Sequence, residues 1–420
     1  MAQDSAHPLT IVGAGHGAAE LATSLREQGW QGSITLIGDE PLLPYQRPPL
    51  SKACLNGSME EAALLIKSPA SYLRSRVETI LGVRVVSLNC AAKQLTLSDG
   101  RTLPYGKLAL ATGGRPRTLP GEEGSRAARA PNFFYLRSLD DARRLRAHLV
   151  PGARIAIVGA GYIGLEVAAT ARENGMHVTV LEAMPRVLAR VTSPELSAFV
   201  EDCHRKAGVE IRTGTKLQAF DYAPDGNGER IVALRCEDGS VFAADVVVVG
   251  IGLVPNIELA QTAGLKIDNG IVVDEFCRTS DPDIVAAGDC TNHPSALLGR
   301  HIRLESVPNA VEQARTAAAT LCGKERPYRA VPWFWSDQYD LKLKSAGVCE
   351  AYDRVVLRGE MSSRSFALFY LRGSRVVAAD TVNRPQDFML AKRLIAESQD
   401  VEASQLADLA VPLANLLKSH

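Results

Sequence analysis

The chain has 420 residues, 46% of them apolar and 22% charged; at roughly 100–200 residues per domain this is an ordinary globular protein of two to four domains. Lysine plus arginine and aspartate plus glutamate are equal at 47 each, so no global field points to nucleic acid or an anionic membrane, and a charged partner must be met by a local patch. The polar start MAQDSAHPLT has no signal-like apolar core, and no apolar run nears the ~20 residues that span a bilayer, so the expectation is a cytoplasmic protein, monomeric or weakly dimeric.

LTIVGAG opens the chain as an apolar, β-branched strand running into glycine. AAELATSLREQG follows with Ala18, Leu21, Ala22 and Leu25 at helical spacing, and SITLIGDE is a second buried strand ending in acid. This is a βαβ unit. DGRTLPYGKLALATGGRPR predicts a hairpin and a strand, then a crossover from Gly113 to Pro120. The βαβ pattern returns as ARIAIVGAG, YIGLEVAATARENG and HVTVLEA, a repeat of a whole domain and not of a solenoid unit. EDGSVFAADVVVVGIGLVPN closes that unit, and TSDPDIVAAGDC gives a turn, a strand and an acid. Past Lys324 the style changes: VPWFWSDQY gathers aromatics, SRSFALFYLRG and SRVVAADTVN alternate like antiparallel strands, and a helix is expected from about Pro385.

Each βαβ unit carries a glycine fingerprint. In Gly13-Ala14-Gly15-His16-Gly17-Ala18, Gly13 permits the tight turn, Gly15 lets a pyrophosphate approach the backbone, and Ala18 keeps the helix near the sheet. The helix N-terminus supplies free N–H groups and a positive dipole end, and Asp39 is placed to accept from an adenosine ribose. Gly159-Ala160-Gly161-Tyr162-Ile163-Gly164 is a full G-x-G-x-x-G, and Glu182 ends its second strand. A carboxylate there bonds ribose hydroxyls and repels a 2′-phosphate, favouring NADH over NADPH; Arg186 and Arg190, close behind, keep NADPH open. Two such sites in one chain imply that one nucleotide is itself the redox relay, with nicotinamide giving hydride to a flavin.

The eight cysteines include no CxxC and no CxxxxC pair. That argues against a local redox disulfide and against close-spaced iron–sulfur or zinc ligands, and no metal site is expected.

LATGGRPR, VVVVGIGLVPN and TSDPDIVAAGDC resemble signatures of the two-dinucleotide-domain flavoprotein reductases, which include glutathione reductase. PYQRPPLSK, GYIGLEVAATA, RVLARVTSP, ESVPNAVEQA and PWFWSDQYDLKL narrow the resemblance to the bacterial FAD-dependent, NADH-using ferredoxin reductases, over nearly the whole chain. It implies an α/β fold of two Rossmann-like, glutathione-reductase-like domains and a C-terminal α+β domain: 1–113 with 249–324 for FAD, 114–248 for NAD, and 325–420. It places Gly13, Gly15, Gly17, Asp39, Lys52, Val85, Arg137, Asp289 and Val307 at FAD, and Gly159, Gly161, Ile163, Gly164 and Glu182 at NAD. Val307, just before a helix beginning near Pro308, would bring an N-terminal dipole to the pyrimidine end of the flavin. The catalytic roles fall to Lys52, to Glu166 as its ion-pair partner, and to Trp335 at the flavin edge. Without the resemblance Lys52 reads as a surface lysine and Asp289 as a turn acid.

Where the related disulfide reductases have CxxxxC, this chain reads SKACLNGSM, with Cys54 alone. Electrons are therefore expected to leave for an external 2Fe–2S ferredoxin docking near Arg315, Trp335 and Lys344, with Lys342 nearby. That ferredoxin would supply an oxygenase, a haem-thiolate mono-oxygenase before a ring-hydroxylating dioxygenase. The competing readings are an NADH oxidase or quinone reductase on the same fold, and an FAD-holding signalling protein, against which the balanced charge argues.

Overall fold

The computed structural model describes residues 7–226 and 228–417. These divide into two compact units: one from 1–46, 61–115 and 254–332, the other from 47–60, 116–253 and 333–420.

The first unit is built on a parallel sheet. Strand β1 (Leu9–Val12) lies beside β2 (Ile34–Gly38), which pairs with Val77–Leu81; on its other side β1 pairs with Lys107–Leu110 and that strand with Ile284–Ala286. Successive side chains point to opposite faces, and both faces are covered, as a parallel sheet requires. Leu9 and Ile11 pack with Leu21 and Leu25 of helix α1 (His16–Gln28) and with Ala314 and Ala318 of the helix Val307–Leu321. Val12 and Ile37 pack with Val85, Leu95 and Leu97 of a small antiparallel sheet on the other face. Helix α1 stops where Gly29 adopts a left-handed conformation, φ 102°.

The second unit repeats the βαβ plan. Strand β3 (Arg154–Val158), helix α2 (Tyr162–Glu173) and strand β4 (His177–Leu181) lead a parallel sheet with Glu210–Arg212, Val246–Val249 and Phe133–Tyr135. An antiparallel five-stranded sheet belongs to the same unit and begins with β5 (Trp333–Gln338) and β6 (Leu341–Gly347). The helix expected from Pro385 runs Pro385–Glu397. One core joins these parts: Ile155, Leu165 and Val178 share it with Leu341, Phe366 and Tyr370. Helix α2 is consequently buried on nearly every side from Gly164 to Ala171, as an all-round apolar helix should be. Helix α3 (Pro194–Lys206) starts at Ser193, whose hydroxyl accepts from Leu196 N–H.

The segment 47–60 groups with the second unit, not with the βαβ unit that precedes it. Its Leu55 enters the core of Ile155 and Leu165, which places Lys52 in the unit of the second glycine turn. Among the described residues no helix is long and apolar enough to cross a membrane, and no group of His, Cys, Asp and Glu could hold a metal ion.

Candidate functional site

The first glycine turn is shaped by its backbone. Gly13 has φ 120°, and a Cβ there would meet the Ala111 carbonyl oxygen at 2.1 Å, so only glycine fits. A Cβ at Gly15 would meet nothing within 4 Å, and one at Gly17 only ordinary contacts, the nearest being the Ala310 carbonyl at 3.6 Å. Helix α1 has no side-chain cap and no acid in its first turn, leaving its N–H groups for an anionic ligand. Gly17 faces the Ala287 and Ala310 carbonyls, and Gly288 faces Ala310. The two helix starts and the turn bearing Asp289 thus converge. Gln313 holds that turn, its Oε1 accepting from Gly288 N–H (2.7 Å) and from the Thr291 hydroxyl (2.9 Å). Val307 is the first helical residue, one position earlier than Pro308, because Ser306 is the cap and accepts from Asn309 N–H. Val85 is buried. Asp39 points outward, 58% exposed, 3.3 Å from Arg84. Arg137 lies in the second unit, its carbonyl accepting from Arg47 at 2.7 Å.

The second turn is more tightly closed. Gly159 has φ 104°, with the Gly250 carbonyl 2.4 Å from where a Cβ would be. A Cβ at Gly164 would sit 2.0 Å from the Gly159 carbonyl oxygen, so the third glycine lets helix α2 press onto the turn. Gly161 is open, and Ile163, on the first turn of α2, is 43% exposed. The Glu182 carboxylate accepts from Ala160 N–H (2.7 Å) and from Met184 N–H (2.8 Å). Of the two arginines that kept NADPH open, Arg186 is committed elsewhere: it donates to the Ser197 hydroxyl (2.5 Å) and the Ala189 carbonyl (2.9 Å). Arg190 is exposed. A side chain at Gly252 would meet its guanidinium at 3.6 Å and that of Arg117 at 3.9 Å, and Arg117 had not been singled out.

The Lys52–Glu166 ion pair expected from the sequence is present, Nζ to Oε2 2.7 Å. Lys52 is carried past the three-ten turn Pro48–Ser51 and also donates to the Pro48 carbonyl (3.0 Å). Glu166 is 1% exposed, and its other partners were not foreseen: Ser51 donates to Oε2 (2.5 Å) and Ser336 to Oε1 (2.7 Å). Three donors offset much of the cost of burying a carboxylate.

Strand β5 alternates. Trp333 and Trp335 lie on one face, their rings 5.7 Å apart, and Ser336 points the other way to Glu166. Lys344 is the cross-strand partner of Trp335 and sits 5.3 Å from the Phe388 ring; Lys392 lies 5.1 Å over Trp333. Lys342 is paired with Asp337 (3.1 Å). Arg315, in the first unit, is held by Glu20 (2.7 Å) and Glu312 (2.8 Å), so its charge is already matched. None of the eight cysteines forms a disulfide, Cys54 included.

The family model of the pyridine nucleotide-disulphide oxidoreductases matches residues 7–314, and that of the reductase C-terminal domain matches residues 333–417. The chain belongs to the pyridine nucleotide-disulphide oxidoreductase family. Like other members it is a flavoprotein oxidoreductase whose cofactors are FAD and NAD(H), and the residues present fit both. The uncapped α1 start, the open Gly15 and the Gly288–Asp289 turn suit the larger group; the Gly159–Gly164 turn with Glu182 suits the nicotinamide dinucleotide. Within the family the chain is 49% identical to putidaredoxin reductase of Pseudomonas putida, over 97% of this chain and 96% of that one. It is 42% identical to rhodocoxin reductase of Rhodococcus erythropolis, over 98% and 95%. Its fold matches that of putidaredoxin reductase in the covalent complex with putidaredoxin, with a TM-score of 0.93, 48% identity and 98% of each chain covered. The resemblance to bacterial ferredoxin reductases, and to putidaredoxin reductase among them, is borne out, as is the α/β fold of two dinucleotide-binding units with an added C-terminal domain.

Proposed function

We propose that this flavoprotein takes hydride from NADH and passes electrons one at a time to a 2Fe–2S ferredoxin that supplies an oxygenase. Full-length similarity to reductases named for their redoxin partners supports the ferredoxin. The observation that carries the direction of flow is the single cysteine: Cys54 is the only cysteine in the segment 47–60 and forms no disulfide. A local dithiol is therefore not available as the exit. FAD, when bound, takes up electrons as a pair and gives them up singly.

The chain's own part is positioning. The Gly159–Gly164 turn and Glu182 orient NADH, with Arg190 flanking them, and the Lys52–Glu166 pair borders the nicotinamide. Trp335 and Lys344, with Lys392, form the docking face of the second unit; Arg315 contributes less than its charge suggests, because Glu20 and Glu312 match it. Within this reading the domains divide near the boundaries expected from the sequence, with 47–60 added to the nicotinamide side. A haem-thiolate mono-oxygenase is placed ahead of a ring-hydroxylating dioxygenase: the relative at 49% is not named as a dioxygenase component, whereas the reductase component of an anthranilate 1,2-dioxygenase system is 44% identical.

Steady-state NADH oxidation with oxygen, a quinone or a 2Fe–2S ferredoxin as acceptor tests the proposal. Ferredoxin reduction should be the fastest by orders of magnitude. An oxygen or quinone rate that equals it would make the chain an oxidase or quinone reductase instead.

A further inference from the structure

The contacts of Glu166 do not end at Ser336. The Ser336 hydroxyl accepts from Gln338 Nε2 at 3.0 Å, Gln338 Oε1 lies 2.8 Å from His204 Nε2, and His204 Nδ1 lies 3.1 Å from the Tyr339 hydroxyl. Ser336, Gln338 and His204 are all buried. The line joins three separate segments, α2, the β5 strand and its turn, and α3, across the shared core of the second unit.

Its direction follows from the amide. Gln338 Nε2 donates to Ser336, so Oε1 faces His204. The facing Nε2 must then carry the imidazole hydrogen, leaving Nδ1 to accept from Tyr339. Burial pushes His204 towards its neutral form, which is the form this pattern needs. Every hydrogen therefore points along one path: Tyr339 to His204, to Gln338, to Ser336, and finally to Glu166 Oε1. Donors aligned in a chain polarise one another, and here the sum falls on a carboxylate. An amide does not pass protons readily, so the line is a brace rather than a proton path.

We propose that Ser336, Gln338 and His204 are positioning residues for the Lys52–Glu166 pair, holding Glu166 Oε1 so that Oε2 stays with the Lys52 ammonium. The importance of this for hydride transfer rests on the reading that the pair borders the nicotinamide; the positioning itself does not.

The test is competitive acylation of lysines in the FAD-loaded protein, read by mass spectrometry, with Lys216 (62% exposed) as internal reference. Ser336→Ala removes a bond to the carboxylate, and Lys52 should label about fivefold faster relative to Lys216. Gln338→Met and His204→Phe act at one and two removes, and should raise it about twofold. His204→Gln, which restores a donor at the Nε2 position, should return the rate to that of the parent protein. Retained flavin absorbance and cooperative thermal unfolding show that each variant is folded; if Ser336→Ala fails that check, Gln338→Met carries the test. Unchanged Lys52 labelling in folded Ser336→Ala or Gln338→Met overturns the proposal. Flavin reduction by NADH is measured on the same samples. Faster labelling with unchanged reduction leaves the positioning in place and overturns the role of the pair at the nicotinamide.

Discussion

The two glycine turns are written in nearly the same letters and are finished differently. In the second, Gly164 presses onto the Gly159 carbonyl, and Glu182 takes one backbone N–H from the glycine turn, at Ala160, and one from its own loop, at Met184. In the first, the third position is Ala18, the preceding Gly17 makes only ordinary contacts, and Asp39 turns outward to Arg84. The second turn is thus complete within the chain, which suits a ligand that arrives and leaves at every turnover and gains from a preformed site. The first leaves space at Gly15, and its helix has no side-chain cap, as suits a site completed by a resident group. In the proposed assignment, the motif marks a dinucleotide and the contacts around it separate a resident group from one that comes and goes.

The sharpest break of this comparison is a single Cβ. Gly164→Ala should lower flavin reduction by NADH by about 100-fold or more in stopped flow. It should also destabilise the protein by about 1–3 kcal/mol, because the methyl group has nowhere to go. Gly17→Ala should keep a normal melting temperature, any loss appearing as FAD content; equal damage at both sites would erase the distinction. The units also differ in how they bury a histidine. His204 is fully bonded, whereas His293 of the first unit leaves Nδ1 without a partner and is pushed down to about 4 by burial. A histidine that resists its proton when folded adds stability above about pH 6.5, which is lost as the pH falls towards 4. Between pH 7.5 and 4.5 His293→Phe should therefore lose about 2–3 kcal/mol less than the parent protein in denaturant unfolding. Glu182→Ala should lower kcat/KM for NADH about tenfold and narrow its margin over NADPH; an unaltered ratio would remove Glu182 from the ribose. Asp39→Asn should be the mildest, within about 1 kcal/mol in FAD affinity and stability by calorimetry, since its ion pair is exposed.

Both βαβ units were legible because strand, glycine turn, helix and acid follow one another within a short stretch, where local spacing carries the signal. The C-terminal sheet was legible from its alternation. Three things were not. Segment 47–60 is near the first unit in sequence, and only tertiary contacts, such as the packing of Leu55, show which core it joins. The Lys52–Glu166 pair came from family resemblance, because nothing in the local sequence couples two residues so far apart. The Ser336–Gln338–His204 line had no signal at all: serine and glutamine in a strand and histidine in a helix are unremarkable until tertiary packing removes water and demands partners for each. In the same way a charge count could not tell that Arg186 and Arg315 were already occupied.

The alternation of β5 has a consequence for how the protein can change. Trp335 and Ser336 are neighbours that serve opposite faces, and a slip of one residue in pairing with β6 would exchange them. The indole would be driven at Glu166 and the hydroxyl would leave it. The tight turn at Tyr339 and Asp340, where Tyr339 holds φ 54°, keeps the two strands in step. Point substitutions along this hairpin can be absorbed one at a time, but a one-residue insertion or deletion cannot, so length rather than composition is what inheritance must preserve there.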